Sequence, residues 1–173
     1  MENNYLEHPV IKNILSRKSV RKYSTDVVED EKLEVLLRCG MAAPSGKNVQ
    51  PWELILVKDR ALLDAMGEGL PYAKMLADAQ AAIVVCAVEE KCDYWYVDCS
   101  AVTENILLAA EALGLGAVWT ATYPYPERME VVKTVCELPE GVVSLCVIPV
   151  GYPAKEYNAR DKYVVEKIHR EKF

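Results

Sequence analysis

The chain predicts an α+β or an α/β protein, and three observations carry that prediction. A continuous apolar run, residues 81–88, and a largely apolar one, residues 142–150, have the length and β-branched content of buried strands. Segments with apolar residues at helical spacing lie before and between them. Clusters of glycine and proline, as at residues 44–51 and 138–141, punctuate the segments. Helices interleaved with strands are common to both classes, so strand pairing decides between them.

Pro9 suits a helix's first turn, and Val10, Ile11, Ile14 and Leu15 follow at helical spacing, predicting a helix that ends near Ser16. Residues 29–39 predict a second helix, with Leu33, Leu36 and Leu37 inward and a stop around Gly40. Two prolines, a glycine and an asparagine make residues 43–52 a structured loop. Residues 53–58 alternate as a strand, residues 60–66 read as a short helix, and residues 71–77 as another. Residues 94–114 hold the longest helix, apolar almost all round from Ile106 to Leu113 except at Glu111, hence a core or interface helix. Gly114 and Gly116 end it, and Ala117-Val118-Trp119 reads as a short strand. Residues 127–136 predict a helix with Met129, Val132, Val135 and Cys136 on one side. The strand at 142–150 is expected to break at Pro149. The charged tail beyond Pro153 lacks clear periodicity until residues 164–168.

The length of 173 residues fits one domain, residues 1–173, with a full core. A net charge of -6 and a pI near 5.1 argue against general nucleic-acid or membrane-surface binding. Met1-Glu2-Asn3-Asn4 shows no signal peptide, and no apolar run is long enough to span a bilayer. None of Cys39, Cys86, Cys92, Cys99, Cys136 and Cys146 forms a CxxC pair, so they read as small hydrophobes of a reduced, cytoplasmic compartment. Cys92 and Cys99 are badly spaced for zinc, and His8 and His169, the only histidines, lie at opposite ends. A metal site or a histidine-based triad is not expected.

Lys12, Arg17, Lys18, Arg21 and Lys22 lie together with no acid among them, in a chain that is acidic overall. Arg17-Lys18-Ser19-Val20-Arg21 offers two guanidiniums, an ammonium and a hydroxyl to one phosphate. The competing reading is a solvated helix end, where cations favour the dipole in any case.

Arg17-Lys18-Ser19-Val20-Arg21 resembles a family pattern R-[RH]-S-x-[RK], with Lys18 at its second place. Ala43-Pro44-Ser45-Gly46-Lys47-Asn48-Val49-Gln50-Pro51-Trp52 matches PS-x-x-N-x-QPW, and residues 98–113 match the helix D…N-x-LLAA-x-x-LGLG. Gly114-Leu115-Gly116-Ala117-Val118-Trp119 and Pro149-Val150-Gly151-Tyr152-Pro153 complete the order. Over nearly its whole length the chain thus resembles the nitroreductase family of flavin enzymes. The resemblance implies an α+β, nitroreductase-like fold, with a central mixed β-sheet flanked by helices, in an intertwined homodimer whose FMN sites lie at the interface. It assigns the flavin phosphate and ribityl chain to Arg17, Lys18, Ser19 and Arg21. It places Pro44, Ser45, Gly46 and Asn48 of the other subunit at the site, with Asn48 near the ring. It sets Thr120 and Ala121 along the flavin, and closes Arg160 and Lys162 on the phosphate. The chain departs from the family at Lys18, where Arg or His is commoner, at Lys162, where Arg is usual, and at Ala121, where Gly is frequent. No segment matches the family's variable substrate lid.

In function, the resemblance implies an FMN-dependent oxidoreductase. It would use NADH or NADPH to reduce a nitroaromatic, a quinone or a similar small planar acceptor by double displacement. The flavin carries the chemistry, so no side chain is assigned as catalytic. Tyr94-Trp95-Tyr96 and Tyr123-Pro124-Tyr125 either line the open ring face or pack as ordinary aromatics, and Trp52 and Trp119 read as core. Asp98 reads as the cap of the long helix. Two alternatives remain open. One is the same fold with another flavin reaction, such as dehalogenation, flavin fragmentation or azoline oxidation. The other is a non-enzymatic flavin- or nucleotide-binding module.

Overall fold

An eight-residue run with no polar side can fold only where both faces are covered, and Ala81–Val88 is buried along almost its whole length. The computed structural model describes residues 5–173; Met1 to Asn4, the segment of the signal-peptide reading, lie outside the described residues. In chain order the elements are α1 (Pro9–Ser16), α2 (Asp30–Met41), β1 (Trp52–Val57), α3 (Arg60–Gly69) and β2 (Ala81–Val88). There follow α4 (Trp95–Ala112), β3 (Gly116–Ala117), β4 (Thr120–Ala121), α5 (Pro126–Val135) and β5 (Val142–Gly151). The sheet order is β1-β2-β5-β3, with β4 also on β5. These strands pair antiparallel, and a parallel bridge from Ser19 to Ala117 makes the sheet mixed at its edge. The class is therefore α+β.

Strand periodicity splits β2 between two cores. Ala81, Ile83, Val85 and Ala87 join Leu33 and Leu36 of α2 and Val102 and Ile106 of α4. Ala82, Val84 and Cys86 join Leu63 and Met66 of α3 and Val132 of α5. Helices on both sides thus account for the absence of polar alternation.

Helix α2 ends at Met41, within a residue of the expected stop, and the missing Cβ of Gly40, which would meet Ile106 Cγ1 at 2.9 Å, lets α4 in close. Three expectations are corrected. The helix expected at 71–77 is one 3₁₀ turn, Lys74–Ala77. The strand expected at 117–119 is two short strands, β3 and β4, with Val118 and Trp119 between them. Strand β5 continues through Pro149. The carbonyls of Leu145 and Val147 face residues 120–123, so the two-residue period turns Pro149 the same way. There β3 pairs with residues 150 and 151 and β4 with 146 and 147, so no ladder bond is lost at Pro149.

Cys86, Cys99 and Cys146 are buried and free. Burial pushes the Cys146 thiol up from the ordinary 9 to about 12. The native state therefore holds that proton above pH 9 while the unfolded chain releases it. The contribution to stability is complete below pH 9 and is lost as pH rises toward 12. By pH 10 the loss is about 1 kcal/mol. Urea midpoints at pH 7.5 and 10 should show Cys146→Ala losing less stability over that interval than the parent does. Equal losses would remove this thiol from the pH dependence.

Candidate functional site

The basic segment is seated on a trough made by two glycines. Gly116 of β3 pairs with Gly151 of β5. A Cβ on Gly116 would lie 2.5 Å from Val20 Cγ1, and one on Gly151 would lie 2.9 Å from Tyr23 Cδ1. With hydrogens there instead, Val20 and Tyr23 pack flat onto the sheet edge and are buried. The Val20 N–H donates to the Ala117 carbonyl at 3.0 Å and the Ser24 N–H to the Tyr152 carbonyl at 2.8 Å. The Tyr23 hydroxyl donates within reach of the Val20 and Pro149 carbonyls, and burial pushes its pKa well up. Arg21 and Lys22 are left pointing outward.

The result is a cavity of about 380 Å³ lined by Arg17, Lys18, Ser19 and Arg21 from one end of the chain and Tyr157, Asn158, Arg160 and Lys162 from the other. The tail thus closes on the basic segment. Carboxylates of α4 hold two of the cations. Lys18 Nζ lies 2.6 Å from Glu111 Oε1, and Arg17 Nε lies 3.3 Å from Glu104 Oε1. Arg21, Arg160 and Lys162 have no ion-pair partner among the described residues. Lys12 is drawn off to Glu7 and does not line the cavity.

Pro44, Ser45, Gly46 and Asn48 lie elsewhere. Lys47, Asn48 and Gln50 all adopt left-handed φ, 51°, 57° and 50°. The Gln50 N–H donates to Ser45 Oγ at 3.0 Å. Asp98 Oδ1 accepts from the Gly46 N–H at 3.1 Å. Asp98 is therefore not the helix cap, a place taken by Tyr94; it pins this loop to the first turn of α4. Gly46 borders a separate cavity of about 350 Å³ with Lys47, Cys92 and Tyr94. The thirteen residue steps from Asp98 to Glu111 span roughly 20 Å of helix, so the loop and the basic cavity sit at opposite ends of α4. One chain does not bring them together.

Thr120 is buried and donates its hydroxyl to the Val147 carbonyl, while Ala121 is exposed, and neither lines the basic cavity. Downstream, Tyr96 stacks on Tyr123 with ring centres 5.5 Å apart, and Trp95 meets Tyr123 edge-on at 4.8 Å. The two aromatic clusters therefore pack on each other, leaving Tyr94 and Tyr125 exposed. Sequence reasoning missed Tyr157 and Asn158. Their only signal was adjacency to Arg160 in an aperiodic tail.

An acidic chain thus concentrates cations in a cleft set on paired glycines, and the sequence that builds this cleft is shared. A model of the nitroreductase family matches residues 14–74 and 68–152, and the chain belongs to that family. A relative from Archaeoglobus fulgidus, assigned as an NADH dehydrogenase/NAD(P)H nitroreductase, is 45% identical over 170 residues, covering 94% of this chain and 98% of its own. The crystal structure of a similarly assigned Bacteroides thetaiotaomicron protein superposes with a TM-score of 0.95 at 55% identity, covering 96% of this chain and 99% of that one. An FMN-dependent nitroreductase from Clostridium difficile R20291 has a TM-score of 0.90 at 30% identity, covering 94% and 99%.

Proposed function

We propose that the protein is a homodimeric, FMN-dependent oxidoreductase that takes hydride from NADH or NADPH and passes it to a nitroaromatic, a quinone or a similar planar acceptor. The observation that carries this is the cavity shared by residues 17–21 and 157–162, lined by Ser19 and by Arg21, Arg160 and Lys162, which have no ion-pair partner among the described residues. That donor set suits a phosphate monoester, and the C. difficile relative is named FMN-dependent.

When bound, FMN would supply two-electron acceptance and release at its ring. Arg21, Arg160 and Lys162 would neutralise the phosphate, and Ser19 would donate to it. Arg17 and Lys18, each tethered by an α4 carboxylate, are held in place as oriented donors. Asp98 fixes the backbone of Gly46, and with it the loop carrying Pro44, Ser45 and Asn48. Thr120 and Ala121 would lie along the ring, with Thr120 locked by its bond to β5.

The separation along α4 supports a loop supplied by the second copy. So does α1, which buries no residue of its own and leaves Val10 61%, Ile14 51% and Leu15 58% exposed. Ile14, Leu15 and Tyr163 line an open cleft of about 770 Å³ that adjoins Arg17, Arg160 and Lys162. A second copy covering that cleft would bury its apolar wall and complete the site. One FMN-binding unit over residues 1–173, at work in the cytoplasm, fits the free cysteines. Among the described residues no helix is long and apolar enough to cross a membrane.

The protein, purified or reconstituted with FMN, should be yellow. NADH or NADPH should bleach it without oxygen, and a quinone or nitroaromatic should restore the colour. A colourless protein that cannot take up FMN ends the proposal, and FMN that neither dinucleotide reduces would leave only the binding module.

A further inference from the structure

Arg128, in the first turn of α5, is a cation with little charge against it. Its guanidinium carbon lies 3.8 Å from the ring centre of Tyr125 and 5.1 Å from that of Tyr72. Its Nη1 donates to the Ala121 carbonyl at 3.5 Å, a long bond. Its Nε is buried with no hydrogen bond among the described residues. The nearest carboxylate, Glu127, stands 3.9 Å away with its side chain 71% exposed, whereas the Arg128 side chain is only 17% exposed. A guanidinium withdrawn this far from water, with one weak acceptor and one distant carboxylate, calls for a further anion. Tyr72 is 71% exposed, so its ring remains open to a flat partner.

We infer that Arg128, Tyr72 and Tyr125 form a docking subsite for the phosphate and base portions of the reduced nicotinamide dinucleotide. This rests on the proposed function, through the placement of Ala121 along the flavin. A hydride donor that lays its nicotinamide on the ring must extend its phosphates and second base beyond the ring's edge. The carbonyl that Arg128 touches would mark that edge. The phosphates need a cation, which the guanidinium supplies, and the purine needs a flat apolar surface, which Tyr72 supplies. An uncharged quinone uses neither, so the subsite distinguishes donor from acceptor while both share one ring face.

Anaerobic rapid mixing of the FMN-loaded protein with NADPH or NADH separates the dinucleotide's dissociation constant from the limiting rate of flavin bleaching. Arg128→Ala should raise the dissociation constant about tenfold, the loss of one charged contact, and lower the limiting rate less than about threefold. Arg128→Lys keeps the charge without the fork and should fall between Arg128→Ala and the parent. A loss confined to NADPH assigns the 2′-phosphate to Arg128, and an equal loss with NADH assigns the pyrophosphate; either supports the subsite. A dissociation constant within about twofold of the parent's overturns it. So does a limiting rate that falls in step with affinity, which would make Arg128 a prop for the Ala121 backbone. A parent protein that holds FMN but is bleached by neither dinucleotide overturns the proposed function, and this subsite with it.

Discussion

Replacing Arg21 and Arg160 together by alanine should weaken FMN binding by about 2–4 kcal/mol, or roughly 30- to 1,000-fold. Both line the basic cavity, and neither has an ion-pair partner among the described residues, so neither side chain is already committed. Each charged contact to a phosphate is worth about 1–2 kcal/mol at sites as open as these. Arg17→Ala should cost less than either, because Glu104 already takes part of that guanidinium's charge. The two unpaired cations come from opposite ends of the chain, so their effects should add only if both reach one ligand. Titration of the apoprotein with FMN, followed by flavin fluorescence, measures both quantities. A double variant within about threefold of the parent would remove the phosphate from this cavity.

How much of this was legible in the sequence depends on the reach of each interaction. The run at 81–88 announced a strand covered on both faces because composition alone carries that pattern, and the structure places it between two cores. The basic residues were legible by charge. Their pairing with Glu104 and Glu111 was not, since those acids lie 87 and 93 positions downstream and read as ordinary helix surface. Asp98 misled for a similar reason. An aspartate at a helix start has a local reading as a cap, and nothing local says that its carboxylate reaches back 52 residues to Gly46. Pro149 was read as a stop because its backbone cost is local, whereas its permission is tertiary, a gap in the sheet beside it. The glycines at 116 and 151 were seen as motif positions, and only their pairing shows what both motifs build.

That pairing yields the second large effect. Gly116→Ala should destabilise the fold by about 1–3 kcal/mol, because its Cβ would fall 2.5 Å from Val20 Cγ1 and 2.7 Å from Val20 Cβ. Neither atom belongs to a flexible side-chain end. Val20 is β-branched and buried, so relief requires the whole segment to lift from the sheet. Lifting it stretches the Val20 N–H bond to Ala117 and moves Ser19 and Arg21 away from Arg160, so FMN affinity should fall along with stability. Gly46→Ala is the contrasting case: a Cβ there meets nothing within 4 Å, and its effect on stability should stay within about 0.5 kcal/mol. Because any glycine in a strand could be sensitive for other reasons, the decisive measurement is a double-mutant cycle in urea. Val20→Ala removes the atoms that the new methyl would strike. If the clash is the cause, the double variant should lose less stability than the two single losses summed, by about 0.5–3 kcal/mol. Strict additivity would mean that Gly116 serves the strand and not the seat of the basic segment, and the coupling between trough and cofactor site would have to be abandoned.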